Sequence, residues 1–319
     1  MGLAAVPLAG QSVAPVVPRT PWGHPDLQGV YSNDAETGTP FERPAEFEGR
    51  SIEDITPAEM REINRRRNDQ FNQAVDGDEF AGGLRPPTHL IFDTFERANS
   101  RPWLVVDPPD GRVPPLTAEA QARARRPRRG VSSNANPLGP FDGPEDLGLY
   151  DRCITRGIPS SMMPAGYGST YEIVQSPSHL AIRYEMVHET RVIPLDDRPR
   201  VGPDIRLYMG NARGWWEGDT LVVETTNFTD ETSYRGSSAG LRMVERFVPI
   251  APGVLDWRVT FDDPDTWTRP WTFAMPLTRE DRSQQVFEYA CHEGNYGLLN
   301  ILTGARADDG SRVPVAGAR

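Results

Sequence analysis

From residue 171 onward the chain is punctuated so evenly that few architectures can hold it. Apolar and polar letters alternate, and turn residues recur at regular spacing. YEIVQSPSHLAIRYEMVHETRVIPLD reads as a hairpin hinged at Ser176 to Ser178. RGWWEGDTLVVETTNF turns at Glu217 to Asp219, LRMVERFVPIAPGVLDWRVTFDDP at Ala251 to Gly253, and PWTFAMPLTREDRSQQVFEYAC around Glu280 to Ser283. That makes about eight strands in consecutive hairpins. Closure removes the exposed edges of such a meander, so the expected fold is mainly β, an up-and-down barrel just wide enough for one small ligand.

The segment before it has another texture. Residues 1–20 read as a disordered tail or the remnant of a signal peptide, small and apolar but without a basic n-region. Residues 21–150 form a Pro- and Arg-rich, partly helical wrap expected to pack on a barrel at 151–305, and 306–319 is a tail. Within the wrap, Pro21, Gly23 and Pro25 impose a turn-rich path before a short strand near Gly29 to Ser32. Thr56, Pro57 and Glu59 make a capping-box start for a helix running to about Val75, whose Arg65, Arg66 and Arg67 read as a solvated face. A short strand is expected at Trp103 to Val106. Thr117 and Glu119 start a second helix that stops at Pro127, and 128–147 is a long loop.

Because a strand alternates faces, the apolar face identifies candidate pocket residues. Tyr184, Met186 and His188 are expected to share a face with Ile182 and Val192, leaving Arg183, Glu185, Glu189 and Arg191 opposite. Glu245 falls on the apolar face of Leu241, Met243 and Phe247. A carboxylate and an imidazole inside a barrel would exchange a proton near neutral pH, so His188 and Glu245, with Tyr184, are the candidate catalytic groups. Arg191, Asn227 and Arg235 could orient a polar or anionic substrate group, although each residue type is more often found at a surface or turn. Trp271 and Met186 are candidate pocket walls. In FEYACHEGNYG, alternation puts Phe287, Tyr289 and Cys291 on one face and His292 on the other; Tyr289 becomes a pocket residue, and His292 sits at the rim with Glu293.

Composition narrows the chemistry. The net charge is −11 and no basic stripe is visible, so nucleic acid and anionic membranes are not expected partners. All 34 basic residues are arginine. With no lysine there is no side-chain Schiff base and no P-loop, and with no G-x-G-x-x-G fingerprint there is no dinucleotide site. No cofactor is therefore expected. No apolar run is long enough to span a membrane. Cys153 and Cys291 exclude a zinc site of paired C-x-x-C type; in an exported protein they could be one long-range disulfide, in cytosol two small buried residues. Homo-oligomerisation stays open.

TPWGHPDLQGVYSN, VVDPPDGRVPPLT, MVHETRVIPLD, GWWEGDTLVVETTNF, VERF, DDPDTWTRPW and YACHEGNYG together resemble a large bacterial family, frequent in acidobacteria and sphingomonads and often exported. The resemblance runs over nearly the whole chain and implies a periplasmic or exported protein more than a cytoplasmic one. Gly214 and Trp216 echo the G-x-W signature of lipocalin- and calycin-like barrels. The chain is also similar in outline to cofactor-independent lyases that act on lignin-derived aromatic dimers, including phenylcoumaran-type formaldehyde lyases, although no catalytic motif of theirs maps residue by residue.

Three readings follow. The first is a cofactor-free lyase using general acid–base elimination on a hydrophobic, aromatic small molecule, with His188 or Glu245 as base. The second is a lipocalin-like protein that binds its ligand without turnover. The third is a metal hydrolase using His188, His292 and Glu293, which requires three ligands to converge on one ion. Charge inside the barrel separates the first two readings.

Overall fold

A computed structural model describes residues 17–76, 99–125, 130, 141–164, 168–280 and 285–308, with 71–76 described as backbone only. The expected tail at 1–20 lies almost wholly outside these residues, as do 309–319 and most of the loop at 128–147.

The fold is mainly β, a nearly closed antiparallel barrel of nine strands with three α-helices among the described residues. One meander comprises β3 (Thr170–Gln175), β4 (His179–Tyr184) and β5 (Thr190–Pro194). A second comprises β6 (Asn211–Glu217), β7 (Thr220–Thr226), β8 (Arg242–Ala251), β9 (Val254–Asp262) and β10 (Trp271–Arg279). The strand that joins them is β1 (Gly29–Ser32), which pairs with β3 on one side and β10 on the other. The remainder of that edge of β10 is taken by β2 (Val105–Asp107). The N-terminal segment therefore supplies strands to the sheet instead of only lying on it. That is a correction to a barrel confined to 151–305, and it follows from hydrogen bonding, since without β1 and β2 one edge of β10 would be unpaired.

Two departures from the expected strands balance numerically. The long second strand of the first hairpin is broken at Glu185–Glu189, where Val187 (φ 62°) and His188 (φ 58°) adopt left-handed backbone and send the chain back as β5. The expected final strand at 287–291 does not form. That segment is irregular, Phe287 is exposed, and a helix, α3 (Tyr296–Asp308), follows through the start of the expected tail. Cys153 and Cys291 are joined in a disulfide that ties this segment to the loop before β3.

The barrel seam lies between β5 and β6, which adjoin without a described ladder. Gly214 makes this approach feasible. A Cβ there would sit 2.6 Å from Leu195 Cδ2 and 3.1 Å from Ile193 Cγ2, too close for any other residue without movement.

The two expected N-terminal helices form. In α1 (Pro57–Asp76), Thr56 N donates to Glu59 Oε2 at 2.8 Å and Glu59 N to Thr56 Oγ1 at 3.2 Å, the reciprocal bonds of a capping box. In α2 (Ala118–Ala124), Thr117 Oγ1 accepts from Ala120 N. Arg65 and Arg66 are solvated as expected, but Arg67 is buried. It donates to Arg101 O at 2.8 Å and Pro102 O at 2.7 Å, beside Glu36, which accepts from Arg101 N at 2.9 Å. This buried arrangement anchors α1 to the chain that leads into β2.

Inward-facing aromatic side chains dominate the core. Phe261 stacks on Trp271 at 4.4 Å between centroids and on Tyr234 at 5.2 Å, while Trp257 meets Phe273 edge-on at 5.4 Å.

Candidate functional site

The parity change at Glu185–Glu189 decides which polar groups enter the barrel. Moving a strand by one residue exchanges its faces. In the observed register Arg191 is opposite Ile182, so Arg191 points inward and Val192 is exposed, the reverse of the expectation. His188 is exposed in the turn and cannot serve a barrel interior. Met186 is buried against Gly168, where a Cβ would lie within 2.6 Å of Met186 Cγ.

Glu245 and Tyr184 do lie inside, both fully buried. Glu245 Oε2 is 2.6 Å from Arg191 Nη2, which also donates to Thr225 Oγ1 at 2.7 Å. Glu245 Oε1 accepts from Trp257 Nε1 at 3.2 Å. The Tyr184 hydroxyl lies beside the Arg191 guanidinium. Burial works against the Arg191 charge, but the Glu245 carboxylate and the Tyr184 hydroxyl beside it together outweigh that cost, and the guanidinium pKa is raised. Burial pushes the Tyr184 hydroxyl well above the ordinary tyrosine range, keeping it protonated as a hydrogen-bond donor. The cluster is thus a carboxylate, a guanidinium and a neutral phenol from β8, β5 and β4, walled by Trp257, Met243 and Phe247.

Cross-strand register extends it. Tyr31 on β1 is opposite Tyr171 on β3, and Tyr171 is opposite Tyr184 on β4, so three buried tyrosines form one row across adjacent strands. Tyr31 accepts from Arg279 Nη2 at 3.0 Å. Tyr171 was not among the candidates from sequence. The visible signal was its place two residues before Ile173 on an apolar face, but its alignment with Tyr184 depends on the hairpin register.

The other candidates lie elsewhere. Asn227 donates through Nδ2 to Gly202 O at 3.0 Å and Ile205 O at 3.1 Å, holding the loop before β6. Arg235 is exposed and lies over the Phe41 ring at 4.4 Å. Trp271 is buried in the aromatic stack around Phe261, with its Nε1 unpartnered. Tyr289 is half-buried in the irregular segment, and His292 is exposed beside the disulfide. Among the described residues no group of His, Cys, Asp or Glu side chains is arranged to hold a metal ion, and His188, His292 and Glu293 do not form such a group.

A cavity of about 820 Å³ lies outside the barrel beneath α1, lined by Ile52, Met60, Arg61, Arg101, Ile250 and Asp256 among others. A second, of about 410 Å³, lies against the outer faces of β8, β9 and β10 near Arg246 and Arg258. Deep in the wall between them, Asp256 is matched by Arg101 and by Arg258, each at 2.7 Å. Neither cavity brings together an acid and a base without an ion-pair partner.

No family model and no curated protein matches the chain.

Proposed function

We propose that the barrel interior binds a small aromatic molecule and acts on it as a cofactor-independent lyase, by general acid–base elimination. The observation carrying this reading is the fully buried Glu245 carboxylate set beside Arg191 and Tyr184 within aromatic walls. Glu245 takes the proton of a ligand hydroxyl or activated carbon. The electrons released form the new double bond and expel an aryl oxygen, which leaves as a phenol carrying the Tyr184 proton, while Arg191 stabilises the tyrosinate left behind. For a hydroxymethyl side chain, the group lost when the hydroxyl proton leaves and the carbon–carbon bond breaks is formaldehyde. Met243 and Met186, flexible thioethers next to Glu245 and Tyr184 on their respective segments, repack to admit the ligand. The Cys153–Cys291 disulfide supports placing the protein in an oxidising compartment, hence periplasmic or exported.

A second reading, a lipocalin-like binding protein without turnover, is favoured by one specific feature. Both Glu245 oxygens are engaged, one facing Arg191 and the other Trp257, which suits a structural carboxylate. Incubating the protein with a panel of lignin-type aromatic dimers and detecting products by mass separates the two. The lyase reading expects product that disappears with Glu245→Gln and falls with Tyr184→Phe. Binding without product, or turnover indifferent to both substitutions, rules out the proposed chemistry.

A further inference from the structure

The cavity beneath α1 is not what a packed helix leaves behind. A helix that rests on a barrel turns an apolar stripe toward it. Here the face of α1 that lines the cavity, at spacings of three and four residues, carries Met60 but also Arg61, Asn64, Arg65 and Asn68. Ile63 belongs to the adjoining face, packed with Phe47 and Trp103. The remaining lining is largely aliphatic, with Ile52, Ile55, Pro102, Ile250 and Pro276, and no aromatic ring is among the residues that line it. Ile250 is 44% exposed although it belongs to β8. A polar helix face thus stands over aliphatic walls, and the volume of about 820 Å³ is in the range of small-molecule sites, roughly 300–1,000 Å³.

The helix is held in place without a ligand. Glu59 near its start accepts from Arg50 Nη1 at 2.8 Å, and Arg67 two turns later donates to Pro102 O at 2.7 Å. A site framed in this way loses little freedom on binding.

Charge identifies the ligand's polar end. Four charged side chains line the cavity: Arg61, Arg65, Arg101 and Asp256. Arg65 is matched by Glu62 at 2.6 Å and Asp69 at 3.2 Å. Asp256 is shared between Arg101 and Arg258, so that one carboxylate faces two guanidiniums. Glu59, the other acid early in α1, is taken by Arg50. Arg61 is left without an acidic partner among the described residues. In a chain of net charge −11, the cavity lining has a surplus of positive charge.

We propose that the cavity between α1 and the outer wall of the barrel is a binding site for an amphipathic aliphatic carboxylate. The chain lies against Ile52, Ile55 and Ile250, and the carboxylate pairs with the Arg61 guanidinium, whose planar donors match it. This site is separate from the barrel interior and does not depend on the chemistry proposed there.

The test is isothermal titration calorimetry of the full chain with three probes, each kept below its micelle concentration: decanoate, decyltrimethylammonium with the same chain and the opposite charge, and benzoate with a ring in place of the chain. The expected result is saturable binding of one decanoate per chain, tighter than either of the others. Arg61→Gln weakens decanoate binding about tenfold. Its melting temperature matches that of the parent, because Arg61 is exposed and unpaired. Ile250→Glu, which sets a carboxylate in the aliphatic wall, abolishes binding. Arg66→Gln, on the solvated face of the same helix and paired with Glu46, leaves it unchanged. Absence of saturable decanoate binding, equal affinity of the parent and Arg61→Gln, binding that survives Ile250→Glu, or equal or tighter binding of decyltrimethylammonium or benzoate each overturns the proposal.

Discussion

Arg191 Nη2 lies 2.6 Å from Glu245 Oε2 across the barrel interior, and neither side chain is more than 3% exposed. Desolvating two charges is costly, and their attraction and hydrogen bonds recover that cost only while both are present. Arg191→Met should therefore destabilise the protein by about 3–5 kcal/mol by stranding Glu245, while Arg191→Met combined with Glu245→Leu should return close to the parent. Denaturant unfolding of the single and double variants measures this. A double variant as unstable as the single would mean that the pair contributes through packing rather than charge.

Val187 and His188 carry left-handed backbone in the turn that reverses β4 into β5. That conformation is strained for a β-branched residue, so Val187→Gly should stabilise the fold by about 1 kcal/mol. His188→Ala, at an exposed position outside the barrel, should leave ligand affinity and turnover unaltered. Thermal melts and the dimer assay check the two halves. Loss of turnover in His188→Ala would return the imidazole to the chemistry.

Glu36 titrates above its ordinary value of 4.5, burial being the first cause, partly countered by hydrogen bonds from Thr39, Arg101 and Ser100 and by the Arg67 charge. With its folded pKa raised above its unfolded one, this carboxyl contributes most to stability below about pH 4.5, and the contribution fades as pH rises through the raised value. In Glu36→Gln that component of the pH dependence should vanish. Melting temperature measured across the mildly acidic range, compared between the two proteins, is the readout; parallel curves would contradict it.

The disulfide closes a loop of 138 residues. Its removal in Cys153→Ser with Cys291→Ser should cost about 2–5 kcal/mol and release the segment around α3 first. Limited proteolysis should cut near 285–295 in the variant before it cuts within the barrel.

Gly214 sits where β6 meets β5. Gly214→Ala should destabilise by about 1–3 kcal/mol, because the added methyl would collide with Leu195 and Ile193 at the seam. Chemical denaturation compares it with the parent.

Much of the architecture was legible because strand periodicity and turn chemistry agree locally. The turns at Glu217–Asp219 and Ala251–Gly253, with Gly218 and Gly253 in left-handed backbone, form as expected, and so does the capping box at Thr56. The site was half legible. Glu245 and Tyr184 stand on faces that alternation identifies, but the turn at Glu185–Glu189 contains neither glycine nor proline, so nothing local announces the reversal. Every assignment downstream of it on that strand changed sides, which placed Arg191 inside and His188 outside. FEYAC alternates like a strand but finds no neighbour, because β1 already occupies the edge of β10 that it would have used. Such competition between distant segments is settled by tertiary structure, and alternation within one segment does not encode it.

The position of β1 has a kinetic consequence. Residues 29–32 pair with 170–173 and again with 278–279, so the sheet has no complete form until almost the whole chain is available. Contacts so far apart in sequence are slow to form, and until they do, β3 and β10 present unpaired edges to other chains. The strand synthesised first is among the last that can be fully seated, and the period before it is seated is when this protein is most exposed to aggregation.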